Sequence, residues 1–429
     1  MLKQTEMELK NYFNIDDKIL ELSQEALNDI KPELDEVDKI KEYNQMKVLK
    51  AMQEERLSDS HFTNSTGYGY GDIGRDTLER VYARIFNAED AIVRPHIVSG
   101  THAIAIALFG NLRPNDTLLA ITGRPYDTLL QIIGIEGENN GSLKEYGVNY
   151  KEISLKDNGE INIDEVCHTI KEDKSIKMVE IQRSTGYGWR PALTIDNIKK
   201  AIDAIKAVRS DVICFVDNCY GEFLDIYEPT DVGADLIAGS LIKNIGGGIA
   251  PAGGYIVGKK KYVEQASYRL TAPGLGKECG ATFGVVRLMF QGLFIAPHVA
   301  IEALKTSIFC SRLMELAGYE VSPKYDDKRS DIIQAIKFNN PNDLISFCKG
   351  IQKGSPVDSF VECEPWDMPG YTDKIIMAAG AFIQGSSIEL SADAPIRPPY
   401  IAYLQGGLTF EHGKIGVLVG LSNVLKNKK

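Results

Sequence analysis

The chain reads as an α/β protein: a mostly parallel central sheet with helices on both faces, followed by a smaller C-terminal α+β domain. Three observations predict this. Short apolar runs alternate with amphipathic stretches between about residues 100 and 240. After about residue 284 that alternation gives way to one long helical stretch and then a second set of elements. The first 60 or so residues are charged, with apolar residues at helical spacing.

Taken in order, Leu20, Leu27, Ile30, Leu34 and Val37 recur at helix-like intervals, and Pro32 interrupts them. Two short helices are therefore expected in an arm over 1–60. Such an arm packs on a partner subunit or caps its own domain, and the pattern leaves both open. Glycine, tyrosine and asparagine crowd residues 64–74, which predicts a loop, and a helix follows from Asp76. Strands are expected at 118–122, 150–155, 178–182, 212–217 and 236–240. Helices are expected at 101–109, 126–133, 163–171 and 195–208. A short strand at 253–257 completes a large domain over 61–284. Residues 285–429 form the small domain with its connecting helix (285–316), and IIQAIKFN and KIIMAAGAFI are its apolar runs. The string Ser-Thr-Gly-Tyr-Gly occurs at 65–69 and again at 184–188, marking two glycine-rich loops.

Composition narrows the function classes. Lys and Arg number 48 against 59 Asp and Glu, a net charge of -11 that argues against nonspecific binding to nucleic acid or anionic membrane. No uninterrupted apolar run has membrane-spanning length, and the first residues carry no signal core, so a cytoplasmic location is expected. The 7 cysteines are scattered without a CxxC pair, and the 6 histidines have no metal-ligand spacing. Neither a disulfide framework nor a metal site is expected.

The chemistry gathers at predicted strand ends. Asp217 ends the apolar run DVICFVD, and Lys243 lies just past the next one, DLIAGS, with Ser240 three positions before it and glycines after. Ligands of parallel α/β sheets sit at such ends. Ser99, Gly100 and Thr101 open a predicted helix, where backbone N–H groups favour an anion. Each piece alone is common. Together they supply an amine for an imine, a carboxylate for a pyridine nitrogen and donors for a phosphate, the needs of pyridoxal 5'-phosphate (PLP).

On these residues the chain resembles the fold-type I PLP enzymes of cysteine and methionine metabolism, the cystathionine lyase and methionine γ-lyase group. Within it the chain is similar to the methionine γ-lyase-like or aluminium resistance branch. The runs that carry the resemblance are GYGYGDIGRDTLE, SGTHAI, GRPYDTL, FVDNCYGEF, GSLIKNIGGGIAPAGGYIVG and LTAPGLGKECGAT. The resemblance implies Lys243 as the Schiff-base lysine, Asp217 as the partner of the pyridine nitrogen, and Ser240, Ser99, Gly100 and Thr101 as phosphate ligands. It implies Tyr126 as the tyrosine stacked on the cofactor ring and an acid or base in catalysis. Tyr70 then reaches the phosphate of a neighbouring subunit in a homodimer or homotetramer. Arg397 becomes a candidate for gripping the substrate carboxylate.

Three positions depart from the group: Asp72 where an arginine is usual, Ile242 in place of a second phosphate hydroxyl, and Gln182-Arg183 in place of an acidic-Ser-Pro pattern. Arg183 or Arg75 is a candidate for the missing positive charge, Arg183 towards the substrate; for either, a plain ion pair explains the residue equally well. His102, beside the phosphate motif, either touches the cofactor or caps its helix. Gly69-x-Gly71-x-x-Gly74 matches a dinucleotide fingerprint but follows a polar segment instead of a strand. Ser240-x-x-Lys243 matches a serine acyl-enzyme motif whose partner motifs are missing. The implied activity is a carbon–sulfur lyase, by β- or γ-elimination, on a small sulfur amino acid such as methionine, cystathionine or cysteine. Transamination, γ-replacement, racemisation, and a non-catalytic stress or metal-resistance role are the alternatives.

Overall fold

The computed structural model describes residues 2–138, 140–368 and 371–427. The arm holds three helices: α1 (Lys3–Asn11), α2 (Asp17–Asp29) and α3 (Lys31–Glu54). Pro32 falls in the first turn of α3, where its missing N–H costs nothing, so the break comes at Ile30, but α3 runs for 24 residues and is not the short helix expected. The first helix was not expected. The arm packs on its own chain: α2 and α3 lie against α10 (Val286–Leu316), with Ile30, Val48 and Ala51 buried.

The next elements are α4 (Ile73–Ile85), β1 (Asp90–Arg94), α5 (Gly100–Asn111), β2 (Thr117–Ala120), α6 (Asp127–Ile133), β3 (Asn149–Glu152) and α7 (Ile163–Glu172). β4 (Ile176–Gln182), α8 (Ile195–Val208), β5 (Ile213–Asp217), β6 (Leu236–Ser240), β7 (Gly254–Gly258) and α9 (Lys260–Leu270) follow. They build a seven-stranded sheet in the order β1-β7-β6-β5-β4-β2-β3. β3, β2, β4, β5 and β6 pair in parallel, while β7 runs antiparallel between β6 and β1. Side chains alternate between two cores. Met178 and Phe215 pack under α5, α6 and α9, whereas Val179 and Val216 join the core shared with α4, α8 and α10. Helices thus cover both faces, as the alternation predicts.

The connecting helix α10 is 31 residues long. By length and composition it could cross a membrane, but 78% of its most apolar stretch is buried inside the protein. Beyond it, β8 (Glu320–Ser322), β9 (Gln334–Lys337), α11 (Pro341–Lys353), β10 (Ile375–Ala378), β11 (Ser391–Pro395), β12 (Ile401–Gln405) and α12 (Phe410–Lys426) follow. They form an antiparallel five-stranded sheet, β10-β11-β12-β9-β8, backed by α10 and α11, with α12 packed on α11. The two helices touch through backbone: a Cβ on Gly350 would lie 2.6 Å from Gly420 Cα.

Candidate active site

Three neighbouring strands end side by side, because Gln182 pairs with Asp217 and Asp217 with Ala238, two residues before the end of β6. Parallel strands direct their C-terminal ends to one edge, and there Gln182, Asp217 and Ser240 stop together. Asp217 is buried, and its Oδ1 accepts the Cys219 N–H at 3.1 Å, which fixes the carboxylate. Burial raises its pKa, against the pull of the Lys243 charge.

Past Ser240 the chain turns sharply, and Lys243 caps a short helical turn over 244–246. That turn needs glycine, since a Cβ on Gly246 would sit 1.6 Å from the Leu241 carbonyl oxygen. The Lys243 amine lies 3.8 Å from the centre of the Tyr220 ring. Burial would lower its pKa, but Cys219, Tyr220, Asp217 and Glu222 outweigh burial and raise it. Lys243 and Asp217 line one cavity of about 70 Å³ with Tyr126, Tyr187, Tyr220 and Asp393.

The N-terminus of α5 abuts the same edge. Ser99 caps it by accepting the His102 N–H at 3.1 Å, and His102 Nδ1 accepts the Val98 N–H at 3.2 Å. His102 is thus part of the cap, and burial lowers its pKa. A Cβ on Gly100 would lie 3.2 Å from both Cys219 Sγ and Ser240 Cβ, a tight fit, so glycine lets the helix end come this close to the end of β6 without displacing them. The first-turn N–H groups have no intrahelical acceptor and carry the positive end of the helix dipole. Thr101 Oγ1 lies 3.0 Å from Thr128 Oγ1. An amine and a carboxylate in one cavity, with a helix N-terminus and a serine hydroxyl at its edge, fit the donor set that PLP requires.

Tyr126 opens α6, and its N–H donates to Gln182 Oε1 at 2.9 Å, so the unexpected glutamine holds the tyrosine in place. The Tyr126 and Tyr371 hydroxyls are 2.7 Å apart. Burial, reinforced by Tyr371, raises the Tyr126 pKa well above its ordinary value, so the phenol keeps its proton. Asp393 faces the cavity from β11, its pKa pushed up to about 6 by burial.

Other expected residues lie apart from this cavity. Tyr70 is 60% exposed and stacks on Tyr68, their ring centres 5.4 Å apart. Arg397 lines an adjoining cleft of about 210 Å³ beside Tyr126 and Gln182, and its Nη1 donates to Asp373 Oδ2 at 2.8 Å. The substrate role expected of Arg183 is corrected by its placement. Its side chain has no exposure, and its guanidinium donates to Asn218 Oδ1 at 2.7 Å and Ser330 Oγ at 3.1 Å, with Glu228 Oε2 at 3.4 Å. It neutralises a buried carboxylate and does not reach the cavity. Arg75 is likewise a buried brace, donating to the Gly69 carbonyl at 2.7 Å and the Gly280 carbonyl at 3.2 Å. Asp72 caps α4, accepting the Arg75 N–H at 2.8 Å and the Thr282 hydroxyl at 3.0 Å. A much larger cavity of about 630 Å³, near Arg75 and Lys277, contains none of these catalytic groups. Its Glu79 and Asp90 already pair with Arg94 and Lys277.

Sequence reasoning missed Tyr220, Tyr187, Tyr403, Asp393 and Gln405 as cavity residues. Tyr187 was within reach: it belongs to the second Ser-Thr-Gly-Tyr-Gly string, whose Thr185 N–H is held by Asp331 Oδ2 at 2.9 Å. Asp393, Tyr403 and Gln405 sit on β11 and β12, which no apolar run announced.

The chain is similar to known proteins over most of its length. The family model described as methionine gamma-lyase matches residues 19–425. A solved structure of a carbon–sulfur lyase involved in aluminum resistance, from Clostridium novyi NT, shares 65% identity over 98% of this chain and 99% of its own, with a TM-score of 0.95. A proposed cystathionine beta-lyase involved in aluminum resistance, from Clostridium acetobutylicum, shares 64% identity over 99% of each chain, with a TM-score of 0.96. The PLP-dependent protein YhfS from Escherichia coli shares the fold alone, at 16% identity over 91% of this chain and 97% of its own, with a TM-score of 0.62.

Proposed function

The chain belongs to the methionine gamma-lyase family, and on that premise we propose that it is a PLP-dependent carbon–sulfur lyase acting on a sulfur-containing amino acid such as methionine, cystathionine or cysteine. The observation that carries the reading is that Lys243 and Asp217 line one buried cavity. Lys243 would hold the cofactor's aldehyde carbon, Asp217 its ring nitrogen, and Tyr126 its ring face. Ser240, Ser99 and the N–H groups of Gly100 and Thr101 would hold its phosphate. Bound there, the cofactor supplies a sink for the electrons left at Cα when the α-proton departs.

The chain's own groups move the protons. Lys243 takes the α-proton, and the acidic neighbours that raise its pKa help it keep that proton. Tyr126, which burial holds protonated, would give its proton to the departing sulfur while Tyr371 steadies its oxygen. The sulfur leaves as a thiol, and hydrolysis then yields ammonia and a 2-oxo acid. We further propose a homodimer or homotetramer in which Tyr70, exposed on its own protomer, reaches the neighbour's phosphate site. The test is a product assay for thiol, ammonia and oxo acid with wild type and Lys243→Ala. Stoichiometric release that is lost in the variant supports lyase action. Full activity in Lys243→Ala, or amino transfer without thiol release, overturns it.

A further inference from the structure

We infer that the Asp393 wall of the cavity selects substrates carrying a compact positive charge at or beyond the sulfur, as a sulfonium or a distal ammonium. The inference rests on the lyase reading and names the substrate class for that site.

Asp393 sits on β11 with 9% exposure. Its Oδ2 accepts the Tyr187 hydroxyl at 3.0 Å, and its Oδ1 accepts Gln405 Nε2 at 2.9 Å. Both partners are neutral donors, so neither cancels its charge. Among the described residues lining this cavity, Lys243 is the one cation. The nearby arginines are committed elsewhere: Arg397 to Asp373, and Arg190 to the Ser184 and Pro191 carbonyls. On the lyase reading Lys243 is committed to the cofactor when a substrate arrives, so no other cation among the described residues lining the cavity faces Asp393 at that point.

Around it stand tyrosine rings. Tyr187 lies 5.1 Å from Tyr403 and 6.1 Å from Tyr371, both at 47°. Tyr187 and Tyr403 line the cavity with Asp393, and the negative faces of aromatic rings attract cations. A carboxylate among aromatic rings suits a small, weakly hydrated cation and gives a neutral thioether no such reward. Burying an unpaired carboxylate is costly, and a cationic substrate removes that cost.

The experiment measures binding and turnover by the PLP-loaded enzyme. Trimethylsulfonium and tetramethylammonium ions, which lack an α-amino group and cannot react, probe the wall alone by calorimetry. S-methyl-L-methionine, L-cystathionine and L-methionine probe it in substrates through KM and kcat. We expect KM for at least one cationic substrate to be roughly tenfold below that for methionine. A sulfonium preference shows with S-methylmethionine and trimethylsulfonium, an ammonium preference with cystathionine and tetramethylammonium. The preference should vanish in Asp393→Asn and in Tyr187→Leu, and largely persist in Tyr187→Phe, which keeps the ring. Equal KM for cationic and neutral substrates in wild type, or an undiminished preference in a folded Asp393→Asn, overturns the inference even if thiol release is observed. Small cations that bind wild type but not Asp393→Asn, with no sulfur amino acid turned over, support the cation site and count against the lyase reading.

Discussion

The Lys243 amine rests 3.8 Å above the centre of the Tyr220 ring, whose own backbone is left-handed at φ 70°. Few tyrosines adopt that conformation, and here it turns the ring beneath the lysine while the Ser387 hydroxyl donates to the phenol oxygen at 3.0 Å. A ring face this close steers an ammonium and is worth about 0.5–2 kcal/mol. Tyr220→Phe should therefore retain most activity, while Tyr220→Leu should lower kcat by roughly 3- to 30-fold. Steady-state kinetics checks this, and equal losses in both variants would assign the effect to the hydroxyl.

Asp217→Asn keeps the shape of the side chain and removes its charge. With the Cys219 N–H still satisfied, the fold should be unaffected. Activity should fall by roughly 10²–10³-fold, because the charge that stabilises a protonated ring nitrogen is gone. Far-ultraviolet circular dichroism and single-turnover rates separate the two effects.

Glu180 on β4 is buried, and neither carboxylate oxygen has a hydrogen-bond partner among the described residues. Burial, with the Asp217 charge adding to it, pushes its pKa up to about 8. The sign follows from linkage. Below the ordinary carboxylate range both folded and unfolded chains hold the proton, so no stability is lost. As pH rises towards 8, the unfolded chain releases its proton while the folded chain retains it, and stability falls until the folded pKa is passed. Glu180→Gln should thus match wild type near pH 4 and exceed it at pH 9 by up to about 4 kcal/mol. Urea unfolding at the two pH values gives the difference.

Arg183 neutralises Glu228 with both side chains fully buried. Arg183→Met should cost about 3–5 kcal/mol of stability by stranding that carboxylate. At a temperature where the variant is folded, its KM should stay near that of wild type. A large rise in KM without loss of Tm would restore the substrate role first expected of this residue.

The parts of the fold that announced themselves in sequence are those where one side-chain period dominates. β5 and β6 are apolar up to their ends and buried on both faces, and those ends located Asp217 and Ser240. Lys243 was legible because glycines after it signalled a tight turn. β1 was missed because five residues with a charge at each end make a weak signal, and its partner β7 lies far along the chain. β11 hid for a related reason: Asp393 interrupts an otherwise small and apolar strand. The same polarity that masks a strand marks a site, so the cavity wall contributed by the second sheet was the least legible part. Arg183 misled because a lone arginine after a strand reads alike whether it faces a ligand or a buried glutamate.

The central claim is that Lys243 carries the cofactor. Purified protein incubated with PLP should show an absorbance band near the visible edge that borohydride abolishes, and peptide mapping should then place one reduced pyridoxyl adduct on Lys243. A protein that stays colourless under PLP, or an adduct on any other lysine, would contradict the account.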